Sequence, residues 1–383
     1  MKVSLRFDIK QLLYFMSLFI AVFVLFMVET TFVKQSNLFY TLRVFGLILS
    51  NILLLIKLLL ERNTYKNWLI FVSLTIILLL ISLNLRKGSE VLTLSYTFLL
   101  IISSKGIQLE KVVKFWLFEI GCLMLLNHFF YKTGRIPDVF SYRSSGIRYS
   151  LGYVFTSFSS NFMFHITVFY TFIRNKNIRY MELILLFLLN YYFYQKTDTK
   201  AAFAFAILQL VLALVFKHIT FNKSLIGFIN KYIVALSASL AYIVTLLYNP
   251  SQPYFQVLNR LLTSRLSLGR LALDQYGISI WGQPIKWVTT ISGIGVGESY
   301  LFVDSSFINI GINYGIALLF LLILGFYLVG TKMLDNQFYT LTVLMISLHS
   351  IFDTQFLEIL YNPLLIALGL IFYPRAMGNS EES

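Results

Sequence analysis

Cysteine, histidine, proline and acidic residues are all scarce in this chain of 383 residues. The single cysteine, Cys122, excludes both an intramolecular disulfide and a thiolate metal site. Charged residues make up 13% of the chain and hydrophobic residues 58%, values that a water-soluble domain with a polar surface does not reach. Together with a mean hydropathy of +0.76, this composition leaves no room for a sizeable soluble domain and predicts a protein whose solvent is mostly lipid.

Long apolar stretches separated by short polar loops predict an all-α fold, a polytopic membrane helix bundle that forms one transmembrane domain over residues 1–383. A hydrocarbon core of about 30 Å is crossed by roughly 20 apolar residues in a helix. About twelve stretches reach or approach that length, and they fall at 11–30, 38–60, 67–84, 91–104, 112–131, 151–173, 180–195, 200–217, 228–248, 302–330, 337–351 and 355–373. The first is too long for the core of a signal peptide and should be retained as a span.

The excess of basic residues, which gives a net charge of +14, is spread over short loops and does not form the continuous face that nucleic acid requires. The positive-inside rule places both termini in the cytoplasm. Three loops on the opposite side nevertheless carry positive charge, namely Lys132, Arg135, Arg143 and Arg148 in the first, Lys196 and Lys200 in the second, and Arg260, Arg265, Arg270 and Lys286 in the third. Either these residues only meet lipid phosphates or they bind an anionic ligand at the outer surface, and we favour the second interpretation.

Residues 249–301 form the longest predicted loop, which we expect to be extracytoplasmic. It opens with a proline-rich helix stop, and regularly spaced leucines after it predict short helices that lie in the membrane interface. On one straight helix, Arg260, Arg265 and Arg270 would point in three different directions. We therefore predict a break for which Thr263, Ser264 and Gly269 offer caps and a hinge, with two short helices meeting at an angle.

Several segments of the second half resemble a known family. The run Leu258-Asn-Arg-Leu-Leu-Thr-Ser-Arg-Leu, the segment Tyr276-Gly-Ile-Ser-Ile-Trp-Gly-Gln, and Val303-Asp-Ser-Ser-Phe with Tyr314-Gly-Ile resemble, in order and spacing, those around the large extracytoplasmic loop of Wzy-type polysaccharide polymerases. Arg148-Tyr-Ser-Leu-Gly-Tyr looks like their arginine-led segment, and Lys200 stands where relatives often carry Ser-Arg. The His-Pro-Asn that follows the arginine-led segment in many relatives is absent from this sequence.

This resemblance implies a glycosyltransferase of the bacterial cytoplasmic (inner) membrane that builds capsule, exopolysaccharide or O-antigen. It would transfer a growing glycan from undecaprenyl pyrophosphate to the next lipid-linked repeat unit. The implied partners are undecaprenyl-pyrophosphate-linked oligosaccharides, membrane lipids, a chain-length regulator and a flippase, without nucleic acid or cofactor. We assign the pyrophosphate clamp to Arg148, Arg265 and Arg270, helped by Lys200 and Arg143, because guanidinium groups stabilise charge on a leaving phosphate.

The acceptor hydroxyl needs a general base, for which His349 and Asp304 are the candidates. The outward loops carry no cluster of Asp, Glu and His at metal-ligand spacing, so we predict a metal-independent enzyme. An O-antigen-type ligase would share the same residues and differ only in its acceptor. A lipid-linked oligosaccharide flippase or another transporter should instead show internal repeats and midplane charges. Arg43 and Lys57, within the second predicted span, are expected to snorkel toward opposite faces.

Overall fold

A computed structural model describes residues 8–85, 88–143, 146–289, 299–334 and 336–373. These residues are mostly helical, as the composition predicts. The elements are α1 (Ile9–Glu29), α2 (Leu38–Leu60), α3 (Tyr65–Leu85), α4 (Gly88–Ile102), α5 (Leu109–Lys132), β1 (Phe140–Arg143), β2 (Gly146–Tyr149), α6 (Phe158–Arg174), α7 (Tyr180–Thr197), α8 (Lys200–His218), α9 (Lys223–Leu246), α10 (Pro253–Leu261), α11 (Arg265–Tyr276), α12 (Ser306–Asn313), α13 (Ile316–Gly330) and α14 (Gln337–His349). Short 3₁₀ helices cover Thr31–Lys34, Asn175–Asn177, Gln355–Leu357 and Pro363–Ile371.

Five of the described helices, α1, α2, α3, α8 and α9, are long and apolar enough to cross a membrane. Their outward faces carry large hydrophobic side chains; Phe45, Leu59 and Leu83 are 66%, 74% and 75% exposed. Water would make such a surface costly, whereas lipid tails solvate it. The chain is therefore a membrane protein, and the twelve-span count stays a prediction.

Two of the predicted spans differ in structure from a single α-helix. The stretch 302–330 is broken into α12 and α13 at Gly315, whose φ of +93° and close approach to the Ile280 carbonyl leave no space for a side chain. The first N–H groups of α13, those of Ile316 and Ala317, donate to the carbonyl oxygens of Ser279 and Ile280 at 3.0 and 3.2 Å. The last stretch, 355–373, contains two 3₁₀ helices, Gln355–Leu357 and Pro363–Ile371, and the Asn362 side chain caps the second.

That 3₁₀ segment, Pro363–Ile371, runs through the centre of the bundle against α4, α5 and α13. Residues 363–370 are all buried, which suits a helix type whose poorer hydrogen bonds would be costly against lipid. Just before it, the Leu360 carbonyl accepts a hydrogen bond from the buried indole of Trp116 at 3.1 Å. This segment is thus surrounded by protein and does not face lipid.

Hydrogen bonds between loops group the helix termini at two ends of the bundle. One end, which we call the hairpin end, carries the antiparallel pair β1–β2. There Thr31 bonds the Pro137 carbonyl, Arg148 bonds that of Thr197, and Ser306 bonds that of Ser350. At the far end, Asn230 bonds the Met333 carbonyl. The three loops whose positive charge conflicts with the positive-inside rule all lie at the hairpin end.

Lys57, at the far end of α2, is buried and does not snorkel. Its ammonium group donates to the carbonyl oxygens of Ser103 and Lys105 at 2.5 and 3.1 Å and forms an ion pair of 3.2 Å with Glu61. Every proton of the ammonium therefore has an acceptor, which allows a cation to remain buried.

We expect Lys57→Met to lower the free energy of unfolding by about 3 kcal/mol, because it leaves two carbonyl oxygens without their donor and the Glu61 carboxylate with only Lys10, 3.6 Å away, as an ion-pair partner. Thermal unfolding of the detergent-solubilised protein, followed by circular dichroism, measures this effect. Lys66→Met, at an exposed position of α3, is the control and should change stability by about 0.5 kcal/mol or less. Equal effects of the two substitutions would contradict a stabilising role for the buried ammonium.

Candidate functional site

Arg143 and Arg148 lie on one face of the β1–β2 hairpin, because Arg148 pairs in register with Ser141, two residues before Arg143. This face meets the turn between α7 and α8. Arg143 donates to the Asp198 carbonyl at 3.2 Å and forms an ion pair of 3.6 Å with its carboxylate. Arg148 donates to the Thr197 carbonyl at 2.6 Å and contacts the Thr199 hydroxyl at 3.4 Å.

Burial lowers the pKa of Arg148 to about 10, and the neighbouring charge of Arg143 adds to the decrease. Asp198 opposes this change, while Arg265 contributes in the same direction as Arg143. Arg148 therefore stays protonated at neutral pH but is poorly solvated, and an anion that approached it would gain more than at a hydrated surface.

Arg265 is the first residue of α11, directly after the predicted break. Thr263 and Ser264 have φ of 52° and 67°, a left-handed conformation that turns the chain between α10 and α11. The Arg265 Nε donates to the Asp304 carboxylate at 2.9 Å, and the two side chains are 25% and 31% exposed. The pair is thus partly accessible, and an anionic ligand could compete with Asp304 for the guanidinium group.

Asp353, just after α14, adds a carboxyl group to this region. Its Oδ2 accepts a hydrogen bond of 2.7 Å from the amide of Asn161, and its backbone carbonyl binds the N–H and hydroxyl of Ser306. Burial raises the pKa of Asp353 to about 7; Arg265 opposes the increase and Asp304 adds to it. Near neutral pH this carboxyl group can therefore take up or release a proton.

We call Arg143, Arg148, Arg265, Asp198, Asp304 and Asp353 the arginine cluster. Its members come from five separate parts of the chain, and their charges act on one another through Arg265. The cluster combines three guanidinium groups with three carboxyl groups, one of which titrates near neutrality. Such a site can exchange internal ion pairs for contacts with a phosphate and can hold a proton acceptor beside it.

Three residues that the sequence predicts for the site do not pair with the arginine cluster among the described contacts, namely Arg270, Lys200 and His349. Arg270 lies about 140° around α11 from Arg265, and it binds Asp274 and the Leu246 carbonyl at 2.9 and 2.7 Å. Lys200 is exposed at the start of α8. His349 is 1% exposed, with its ring centroid 4.4 Å from that of Phe164.

Sequence reasoning assigned no role to Asp353 or Asn161. In the sequence, Asp353 stands in a short polar turn between two apolar stretches. A carboxyl group at such a position of a membrane protein is itself a signal of a functional residue. Asn161 lies inside an apolar helix 192 residues away in sequence. Among the described residues, no group of three or more His, Cys, Asp or Glu could hold a metal ion, and metal independence stays a prediction.

The titration of Asp353 should make stability depend on pH. Its pKa is raised from 3.8 to about 7 in the folded chain, so between these values the folded state binds more protons than the unfolded state, and stability falls as pH rises. In detergent, the thermal midpoint of the wild type should fall between pH 5 and pH 8. Asp353→Asn, which keeps the shape of the side chain, should reduce this fall by about 2 °C or more.

Asp274→Asn serves as the control for this experiment, because Asp274 is an exposed carboxylate of α11. Its pH profile should follow that of the wild type. A profile of Asp353→Asn that also follows the wild type would show that Asp353 ionises as freely in the folded chain as in the unfolded one.

Comparison with known proteins leaves the site to be judged by its own geometry. No protein-family model, no curated protein and no solved structure matches this chain. The resemblance to Wzy-type polymerases accordingly rests on short sequence segments alone, and the arginine cluster is the structural feature that bears on function.

Proposed function

We propose that this protein is a membrane glycosyltransferase that polymerises lipid-linked oligosaccharide repeat units at the outer face of a bacterial cytoplasmic membrane. The observation that carries the proposal is the convergence of Arg143, Arg148 and Arg265 from two separate segments at one end of an apolar bundle. In this proposal the hairpin end faces outward, both termini are cytoplasmic, and the twelve apolar stretches include re-entrant segments as well as full spans.

The guanidinium groups would bind the pyrophosphate of the donor. Arg265 would exchange its ion pair with Asp304 for contacts with the phosphate oxygens, and Arg148, which is poorly solvated, would stabilise the charge that develops as the leaving group departs. Arginine suits this role because its planar fork binds two phosphate oxygens at once. The exchange also frees the Asp304 carboxylate at the moment when substrate is present.

The transfer itself is a single displacement. The acceptor hydroxyl oxygen forms a bond with the anomeric carbon, the bond from that carbon to the phosphate oxygen breaks, and undecaprenyl pyrophosphate leaves with the electron pair. The hydroxyl proton passes to a carboxylate, for which Asp353 is best suited because its pKa is close to working pH. Attack from the face opposite the leaving group inverts the anomeric centre. His349, packed among aromatic rings, would position the helix end that precedes Asp353.

Arg265→Ala and Arg148→Ala should each reduce polymer formation about 100-fold or more in cells that lack the wild-type gene, with single lipid-linked repeat units accumulating. Asp353→Asn, which can still bind Asn161, should reduce it as far. The glycan size distribution, resolved by electrophoresis of cell extracts, measures both effects. Arg260→Ala, at an exposed arginine in the same predicted loop, is the matched control and should form polymer of wild-type length.

If polymer formation persisted in both the Arg265 and Arg148 variants, the pyrophosphate clamp would be wrong. Long polymer in cells that lack the protein altogether would rule out polymerisation and leave the ligase and transporter alternatives.

The proposed orientation predicts which positions react with a membrane-impermeant thiol reagent. In a Cys122→Ser background, Ser264→Cys at the exposed turn between α10 and α11 should be labelled in intact cells. Thr64→Cys, exposed at the far end before α3, should be labelled only after lysis. The reverse pattern would place the arginine cluster in the cytoplasm and exclude a function at the outer face.

A further inference from the structure

A cavity of about 250 Å³ lies at the hairpin end, beside the arginine cluster but lined by other residues. Its walls come from the end of α1, the starts of α2 and α4, helix α12 and residues 354–360. Small-molecule pockets in proteins usually measure about 300 to 1,000 Å³. This cavity is slightly smaller than that range, so it can hold at most one ring-sized ligand and not an oligosaccharide or a lipid chain.

Acidic side chains predominate in the cavity. Glu29, Glu90 and Glu358 line it, and Arg43 is the one cation among the described lining residues. Glu29 and Glu358 interact electrostatically with each other and with Arg43. Arg43 keeps a 3.4 Å contact with the Thr93 hydroxyl, but its Nε is buried without a hydrogen-bond partner among the described residues. Further negative charge is costly among buried acidic groups, so a phosphate or a carboxylate is disfavoured here, whereas ligand hydroxyl groups could hydrogen-bond to the carboxyl groups and accept from Arg43.

Amide and aromatic groups complete the lining. Asn313 is 7% exposed, and its amide donates at 2.8 Å to Asn309, which in turn donates to the Val303 carbonyl at 3.1 Å. These bonds fix both amides in position along α12. Trp287 and Tyr314 contribute flat aromatic faces. Flat rings combined with carboxylate and amide groups suit a sugar, which has apolar C–H faces and a rim of hydroxyl groups.

The cavity adjoins the arginine cluster through the segment that follows α14. Asp353 belongs to the cluster, while Thr354 and Glu358 line the cavity. The charge of Asp353 acts on both Glu358 and Glu29. A ring held in the cavity would therefore lie next to the carboxyl group that we assign as proton acceptor.

We infer that this cavity is the acceptor subsite and that it takes one uncharged sugar ring, the non-reducing sugar of the incoming repeat unit. The inference rests on the proposed function and adds to it the class of acceptor. Neutral hexoses and N-acetylhexosamines match the size and polarity of the cavity, and its acidic lining disfavours uronic acids. The site thus separates an anionic donor group at the arginine cluster from a neutral acceptor ring.

The test is saturation-transfer NMR on the purified full-length protein in detergent, with methyl glycosides of glucose, galactose and N-acetylglucosamine as neutral probes and methyl glucuronide as the charged probe. At least one neutral glycoside should bind, and the glucuronide should bind about tenfold more weakly or not at all. Asn313→Leu, which removes the fixed amide at similar volume, should weaken neutral binding about tenfold. Glu358→Gln, which keeps the side-chain shape, should weaken neutral binding and improve that of the glucuronide.

Absence of binding by every neutral probe, equal binding of the glucuronide, or unchanged binding in Glu358→Gln would each overturn the inference. Glu358→Gln decides the outcome if Asn313→Leu fails to fold. Arg265→Ala separates this test from that of the proposed function, because it should abolish polymer formation and leave glycoside binding unchanged. Polymer formation by Arg265→Ala with intact glycoside binding would refute the pyrophosphate clamp and leave the cavity as a sugar site.

Discussion

The absence of water along most of this chain is the constraint on which the structure depends. Lipid offers no hydrogen-bond partner, so polar groups inside the bundle gain from partners within the protein or from a place at its ends. The buried ammonium of Lys57, with three acceptors around it, and the indole of Trp116, bonded to a backbone carbonyl, both have such partners, whereas both carboxyl oxygens of Glu119 in α5 are buried without one among the described residues. The same constraint explains why the long 3₁₀ segment Pro363–Ile371 lies at the centre, where protein surrounds it.

Because charges are excluded from the apolar surface, most of them lie at the two ends of the bundle. At the hairpin end, arginines and aspartates form partly exposed ion pairs that an anionic ligand could replace. Arg143 and Arg265 are each paired with an aspartate of another segment. Such partly exposed pairs contribute little to stability, but they hold the guanidinium groups in place. In the proposed function, the donor pyrophosphate then replaces the aspartate. The arrangement is therefore better explained by binding than by folding.

The arginine cluster and the cavity differ in charge although they share one segment of chain. The cluster combines three guanidinium groups with three carboxyl groups, whereas acidic side chains predominate in the cavity, so an anionic ligand suits the cluster and not the cavity. Residues 353–358 contribute to both and place a titratable carboxyl group between them. The proposed reaction needs separate places for the leaving phosphate and the neutral acceptor, because the leaving oxygen and the acceptor hydroxyl lie on opposite sides of the anomeric carbon.

The sequence by itself determined the class of the molecule and the position of most of its helices, because an apolar run of about 20 residues is sufficient to define a helix in lipid. It also predicted a break between Arg260 and Arg270, since three arginines on one straight helix would point in different directions. The conflict with the positive-inside rule singled out ten basic residues, which include Arg143, Arg148 and Arg265. Tertiary structure decided which of the other polar residues meet. Asp353 and Asn161 are joined across 192 residues, Arg270 binds the Leu246 carbonyl of α9, and His349 is enclosed by aromatic rings, because packing between helices fixes rotations that apolar composition leaves open. The break at Gly315 likewise depends on the approach of Ile280, a contact between distant segments that local sequence does not encode.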